Sequence, residues 1–275
     1  MRSLLIIMLV LFAGFVQQLS AQGDLLVSPV RVVFEGNKQK EEISLVNVGN
    51  DSATYSVSFL QYNMTEDGNF EQIEKPGEGQ MFADPYLRVF PRKVTLAPRE
   101  SQVVRLQFRR KPDMQSGEYR SHLYFRAEKD NKPLGLDSTQ NDPKLMSVQI
   151  TPVFGISIPV IIRTGEVHVV SSLSNLLIEM QQDTIVNLKL SINRNGNISV
   201  YGDIIAEYVP ASGNPVEVGI VRGVAVYTTT NKRNFSMRLR NIKGVSPSTG
   251  KIRVRYTSPK DVPYVIYAEK ELVLK

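Results

Sequence analysis

Residues 146–163 read M-S-V-Q-I-T-P-V-F-G-I-S-I-P-V-I-I-R, and apolar and polar side chains alternate along them. Side chains of a β-strand point alternately to opposite faces of a sheet, so this period of two predicts an extended strand. The pattern is about three times as long as a typical strand of about 5–6 residues. Its apolar side comprises Val148, Ile150, Phe154, Ile156, Ile158, Val160 and Ile162.

Two prolines, Pro152 and Pro159, lie inside this long strand. Proline has no backbone N–H to donate, so a strand that contains it belongs at a sheet edge or at a bulge. A long apolar edge exposes unpaired backbone groups, which makes sense when another chain pairs with it. The same pattern also fits a strand that crosses between two sheets or domains and buries its apolar side internally. The pattern alone leaves both interpretations open.

Short strands separated by turns continue along the rest of the chain, for example at residues 53–62 and 185–193. No helical period is present, so the pattern predicts an all-β fold built of sandwiches. The strand pattern ends near Gly165 and starts again beyond it, and 275 residues are enough for about two domains. We therefore predict two β-sandwich domains, at residues 22–165 and 166–275.

The first 21 residues have the features of a secretory signal peptide. Arg2 precedes an apolar run at residues 4–16, and small residues, Ser20 and Ala21, close the segment. The run is shorter than the about 20 residues that span a bilayer, although an uncleaved anchor is an alternative. We expect cleavage after Ala21 and an exported mature chain that does not span a membrane.

The chain contains no cysteine and two histidines, His122 and His168. Without cysteine or a neighbouring second histidine, neither histidine belongs to a recognisable metal set, and a structural or surface role is expected for each. No catalytic or phosphate-binding motif is present. The net charge of +6 is scattered and not interleaved with aromatic residues, which disfavours nucleic-acid binding. We expect no enzyme activity, no metal, no cofactor and no nucleic-acid partner.

Four stretches, taken together, carry a resemblance to a known family. They are residues 28–32 (SPVRV), residues 86–98 with 104–106, residues 116–123 (SGEYRSHL), and the polar loop 128–144 with the long strand after it. In this order they resemble the periplasmic pilus (fimbrial) chaperones of the usher-dependent type. The resemblance covers residues 25–165 well and the second half only as a sandwich. It implies two immunoglobulin-like domains and a location in the periplasm.

The resemblance implies that the protein binds pilus subunits, which are sandwiches without their last strand, and delivers them to an outer-membrane usher. The long strand would complete the subunit's sheet with main-chain hydrogen bonds while alternate side chains fill its groove. The residues implied for this contact are Val148, Ile150, Phe154, Ile156 and Ile158. We expect the side chains beyond them, at positions 160 and 162, in the protein's own core.

A basic pair that holds the subunit's C-terminal carboxylate is also implied. Arg31 matches the arginine of the pair, whereas Pro159 occupies the position of its lysine. Arg88, Arg120 and Arg163 are the candidates to compensate for the absent charge. The alternative is that Arg31 is an ordinary arginine at a strand end, with a surface partner.

Two other functions fit an exported all-β protein. The first is a structural or adhesive envelope component, but a pilus subunit would carry an N-terminal donor extension, for which residues 22–25 are too few. The second is a chaperone-like protein with a non-pilus envelope client, which the absent lysine leaves open. The polar residues 128–144 predict a loop, either a disordered connector or a segment that becomes ordered on binding.

Overall fold

The computed structural model describes residues 24–128, 153–181, 184–240 and 249–274 of the chain. They form two β-sandwiches, each with its own hydrophobic core, which confirms the predicted all-β fold of two immunoglobulin-like domains. The helical structure in these residues is a single 3-10 turn at Asp84–Tyr86. The described part of the chain thus contains no helix able to cross a membrane. The predicted signal peptide and the polar loop beyond Glu128 lie outside the described residues.

The first sandwich consists of two sheets. Its strands are β1 (Leu25–Ser28), β2 (Val32–Phe34), β3 (Lys40–Asn47), β4 (Ala53–Met64), β5 (Phe70–Ile73), β6 (Leu87–Phe90), β7 (Lys93–Leu96), β8 (Ser101–Phe108), β9 (Gly117–Glu128) and β10 (Gly155–Thr164). One sheet has the order β1-β3-β8-β6, and the other has the order β2-β10-β9-β4-β5, with β7 also paired to β4. All these pairs are antiparallel except β2 with β10, which is parallel.

The second sandwich is antiparallel throughout its described strands. They are β11 (Val169–Gln181), β12 (Thr184–Gly196), β13 (Val200–Val209), β14 (Val216–Val226), β15 (Lys232–Arg238), β16 (Lys251–Thr257) and β17 (Ile266–Val273). Its sheets have the orders β11-β12-β15 and β14-β13-β16-β17.

Alternate residues of each strand supply the cores. In β9, Leu123 and Phe125 are fully buried, and Val160 and Ile162 of β10 are fully buried in the same core. Burying one such side chain is worth roughly 1.5–3 kcal/mol. Because successive side chains of a strand point to opposite faces, the polar residues that alternate with these buried ones point to the other face of the same sheet.

Residues 25–34 are divided between the two sheets. β1 belongs to one sheet and β2 to the other, and Pro29 lies at the crossing. Proline cannot donate to a ladder, so the pairing is interrupted there. The crossing places Arg31 directly before β2, next to the second sandwich.

The two cores draw their residues from 25–162 and from 173–274, and the predicted boundary at Gly165 lies between them. Gly165 has a φ of +67°, and a Cβ there would lie 2.0 Å from the Oγ of Ser116. Only glycine fits this backbone without strain. The domain limits themselves, 22–165 and 166–275, stay a prediction.

Candidate functional site

The polar face of β9 is turned toward the second sandwich. Glu118, Arg120 and His122 alternate with core residues along this strand, and each is at most 5% exposed. Ser199 and Tyr227 of the second sandwich bond to this face. The polar side chains of β9 are therefore buried between the two sandwiches.

A buried carboxylate, Glu118, joins the two sandwiches. Its Oε1 accepts a hydrogen bond of 2.6 Å from Arg120, and its Oε2 accepts bonds from Ser199 N (3.0 Å), Ser199 Oγ (2.7 Å) and Arg163 Nε (3.3 Å). Burial acts to raise the pKa of Glu118, but the charges of Arg120 and Arg163 outweigh it and hold this pKa at about 2. The group is therefore ionised at neutral pH and fixes one end of the interface.

Arg31 lies in the same interface as Glu118 and contacts an aromatic ring. Its guanidinium carbon lies 4.1 Å from the centre of the Tyr201 ring. No carboxylate of the described residues lies within 4.0 Å of it. Burial and the charge of Arg120 lower the pKa of Arg31 to about 10, so Arg31 remains a cation at neutral pH. A desolvated, unpaired guanidinium is suited to bind a carboxylate.

A cleft of about 400 Å³ opens beside Arg31 between the two sandwiches. Five rings line it, namely Tyr62, Phe70, His122, Tyr201 and Tyr227. The ring of His122 lies 4.8 Å from that of Tyr62, and its Nε2 lies 3.1 Å from the hydroxyl of Tyr227. Burial and the charge of Arg120 lower the pKa of His122 to about 3, so the ring is neutral. The cleft therefore combines one cation with largely apolar walls.

One edge of β10 runs into this cleft. Residues 155–159 pair with residues 122–126 of β9 on one side. On the other side, β2 pairs only with residues 160–162, so within the described ranges residues 155–159 have no partner there. Pro159 and Ser157 line the cleft at the end of this edge. An extended chain that joined the edge would therefore reach Arg31.

The residues predicted for client contact do not all lie on the open part of the strand. Val148 and Ile150 lie outside the described residues. Phe154, just before β10, is 56% exposed, and Ile156 is half-buried against the first core. Ile158 is only 3% exposed and packs in that core, so in this structure it is not available to a client. The apolar side of β10 faces the protein's own core from this residue onward.

The predicted helper arginines are not equivalent. Arg120 and Arg163 reach the interface, but both bond to the buried carboxylate of Glu118. Arg88 is exposed on β6, in the sheet that does not face the cleft. Arg31 is thus the cleft cation without a carboxylate partner among the described residues.

Several site residues carried no signal in the sequence. Tyr201 and Tyr227 lie far along the chain from Arg31, and no local pattern connects them to it. Glu118 lies inside the SGEYRSHL stretch, and its alternation with Arg120 and His122 is a pattern that could have identified a polar face. The described residues contain no group of three or more histidines and carboxylates able to hold a metal.

Comparison with known proteins gives similarity only to solved structures. No family model matches the chain. No curated protein matches it either. Similar structures include a chaperone–tip adhesin complex of CFA/I fimbriae biogenesis, at a TM-score of 0.45 and 14% identity over 91% of this chain and 98% of that one. The Pseudomonas aeruginosa CupB2 chaperone gives a TM-score of 0.43 and 11% identity, over 91% and 100%. The E. coli chaperone DraB gives 0.42 and 13%, over 91% and 96%. At this level of similarity, neither family nor function follows from the comparison.

Proposed function

We propose that this protein is a periplasmic chaperone that binds incomplete immunoglobulin-like pilus subunits by lending them a β-strand. One observation carries the proposal: among the described residues, 155–159 of β10 are paired on one edge only, and the unpaired edge leads to Arg31. An exposed strand edge is a template for pairing with another chain. The client's strand would add to this edge through main-chain hydrogen bonds, which is the β-augmentation mode of recognition.

Side chains before and along the open edge would fill the client's groove. Phe154 is exposed and Ile156 is half-buried, so both can gain contacts when a client covers them. Val148 and Ile150 remain predicted contacts on the preceding segment. Register matters because a slip by one residue would turn the apolar side chains away from the groove.

Arg31 would hold the client's C-terminal carboxylate at the end of the paired strand. Charge favours this role, because Arg120 and Arg163 bond to Glu118, whereas no carboxylate of the described residues lies within 4.0 Å of Arg31. A carboxylate that enters the cleft therefore meets a largely desolvated cation.

The rest of the proposed pathway follows from the sequence. The signal peptide at residues 1–21 would direct the chain to the periplasm, and the bound subunit would be delivered to an outer-membrane usher for assembly. The protein would act by binding alone, without catalysis.

Pro159 favours a second candidate function. It lines the cleft and supplies no charge, so the carboxylate site has one cation, Arg31, instead of the expected arginine and lysine. A single anchor also fits a chaperone-like protein with a non-pilus envelope client.

Co-expression with a pilus subunit, sought among the neighbouring genes, tests the proposal. The subunit should co-purify with the wild type, and Arg31→Ala should weaken the complex by about 2–5 kcal/mol, the usual effect of truncating one partner of a buried charged pair. Arg88→Ala is the matched control and should bind as the wild type does. If Arg31→Ala left co-purification unaffected, the role of Arg31 in binding the client's carboxylate would be refuted. If no complex formed at all, the result would favour a chaperone-like protein with a non-pilus client.

A further inference from the structure

The aromatic wall of the cleft is more extensive than a carboxylate site requires. The ring of Phe70 lies 5.5 Å from that of Tyr227, 6.2 Å from that of His122 and 6.0 Å from that of Tyr62. Phe70 is nevertheless 53% exposed, so much of its ring surface is open to a ligand.

We infer that the cleft also binds the side chain of the client's C-terminal residue and selects an aromatic or large aliphatic one. This inference rests on the proposed function and adds to it the chemistry of the client's last residue. Arg31 would take the α-carboxylate, and the rings of Tyr62, Phe70 and Tyr227 would enclose the side chain.

The position of the open edge directs the client's last residue to this wall. Pro159, where the open edge of β10 ends, lines the same cleft as Phe70 and Arg31. A chain paired along residues 155–159 and held at its carboxylate by Arg31 therefore places its terminal side chain among the rings. A cleft of about 400 Å³ is within the range of roughly 300–1,000 Å³ that is typical of ligand pockets.

The electrostatics of the wall favour an apolar side chain. His122 is buried and neutral, and its Nδ1 has no hydrogen-bond partner in the described residues. The neutral ring therefore adds no charge to the wall. Arg31 supplies the charge that binds the carboxylate, and aromatic rings form most of the remaining surface. A charged terminal side chain would be desolvated there without a partner.

The aromatic wall is held in place by the second sandwich. Phe70 begins β5, and the turn before it is bonded across the interface. Thr230 Oγ1 donates to the carbonyl of Met64 at 2.6 Å, and Asn234 N donates to the carbonyl of Glu66 at 2.6 Å. The ring of Phe70 is therefore positioned before a ligand arrives, which reduces the loss of conformational freedom on binding.

Short synthetic peptides test the inference. The probes are labelled extended peptides with one shared sequence that end in Phe with a free carboxylate, in Ala with a free carboxylate, or in Phe amide. The Phe acid should bind about tenfold or more tightly than the Ala acid, since it buries a large apolar side chain. The amide should bind more weakly than the Phe acid, because it lacks the charge that Arg31 binds.

Phe70→Ala should bring the Phe and Ala acids to within about threefold of each other, and Phe90→Ala is the matched control. Phe90 is exposed on β6 in the other sheet, so its loss should leave the preference intact. Equal binding of the two acids to the wild type would overturn the inference alone, as would a preference that survives in a folded Phe70→Ala variant. If none of the peptides binds, both the inference and the proposed function fail.

Discussion

The guanidinium carbon of Arg120 lies 3.7 Å from the centre of the Tyr227 ring, although the two residues belong to different sandwiches. The same guanidinium donates to Glu118 and to Ser199 Oγ, so one buried side chain contacts an acid, a hydroxyl and an aromatic face. A desolvated cation–π contact is worth about 2 kcal/mol. These contacts make the interface part of the folded unit.

Glu118→Gln should destabilise the protein by about 3–5 kcal/mol, because it leaves buried arginines without their shared carboxylate. Chemical denaturation measures the free energy of unfolding. Glu42→Gln is the matched control, since Glu42 pairs with Arg105 on the exposed surface. This variant should lose about 1 kcal/mol or less of unfolding free energy. Similar small losses in both variants would contradict the structural role of the buried carboxylate.

His122 should make stability depend on pH. Its pKa is about 3 in the folded protein, against 6.5 ordinarily, so the unfolded chain binds a proton that the folded protein does not. The contribution of neutral His122 to stability is complete above about pH 6.5 and decreases as the pH falls toward 3. Unfolding measured across this range should show a smaller decrease for His122→Gln than for the wild type.

The control for this measurement is His168→Gln, which replaces the other, exposed histidine. An equal decrease in His122→Gln and in the wild type would show that His122 is not the responsible group.

Phe154→Ala and Ile158→Ala should have opposite effects. Phe154 is exposed, so its truncation should leave thermal unfolding unchanged and weaken a client complex by roughly 1.5–3 kcal/mol. Ile158 is buried in the first core, so its truncation should cost about 2–5 kcal/mol of folding stability. Thermal unfolding and client co-purification are measured for both. A folding defect in Phe154→Ala would identify Phe154 as a core residue and refute its proposed role in client contact.

Thr230→Val should loosen the turn that carries Phe70. The substitution keeps the shape but removes the donor to the buried Met64 carbonyl, which should cost about 1–3 kcal/mol. Thr54→Val is the control, because the Thr54 hydroxyl bonds to Thr95 on an exposed face. Hydrogen exchange near Phe70 should increase in Thr230→Val only. Unchanged exchange would mean that other contacts hold the turn.

The fold could be predicted from the sequence because alternation is a local signal. It predicted the all-β class and put Val160 and Ile162 on the apolar side of their strand. The resemblance then placed these two residues in the core, where the structure has them. Alternation does not say which edge of a strand is paired. The edge and the face of a strand are independent, so the side-chain pattern could not separate Ile158, which the first core buries, from Phe154, which it does not.

The interface could not be predicted for a related reason. The alternation along residues 118–125 is consistent with one polar face that carries Arg120 and His122, but it does not show that Ser199 and Tyr227 cover that face. Those partners are 79 and 105 residues away along the chain, and no local pattern connects them. Arg31 was found only through the resemblance of its motif.

The hydrogen bonds around Glu118 affect how the protein binds a client. Glu118 accepts hydrogen bonds from Arg120 and Arg163 of the first sandwich and from Ser199 of the second. A change in the angle between the sandwiches would break the Ser199 bonds to this buried carboxylate and separate the Arg120 guanidinium from the Tyr227 ring. Such a change is disfavoured because buried charged groups would lose hydrogen bonds, so the cleft walls keep a fixed geometry. A client that docks onto the cleft does not have to order the cleft walls, and the association step then depends mainly on how often the client's own end is extended.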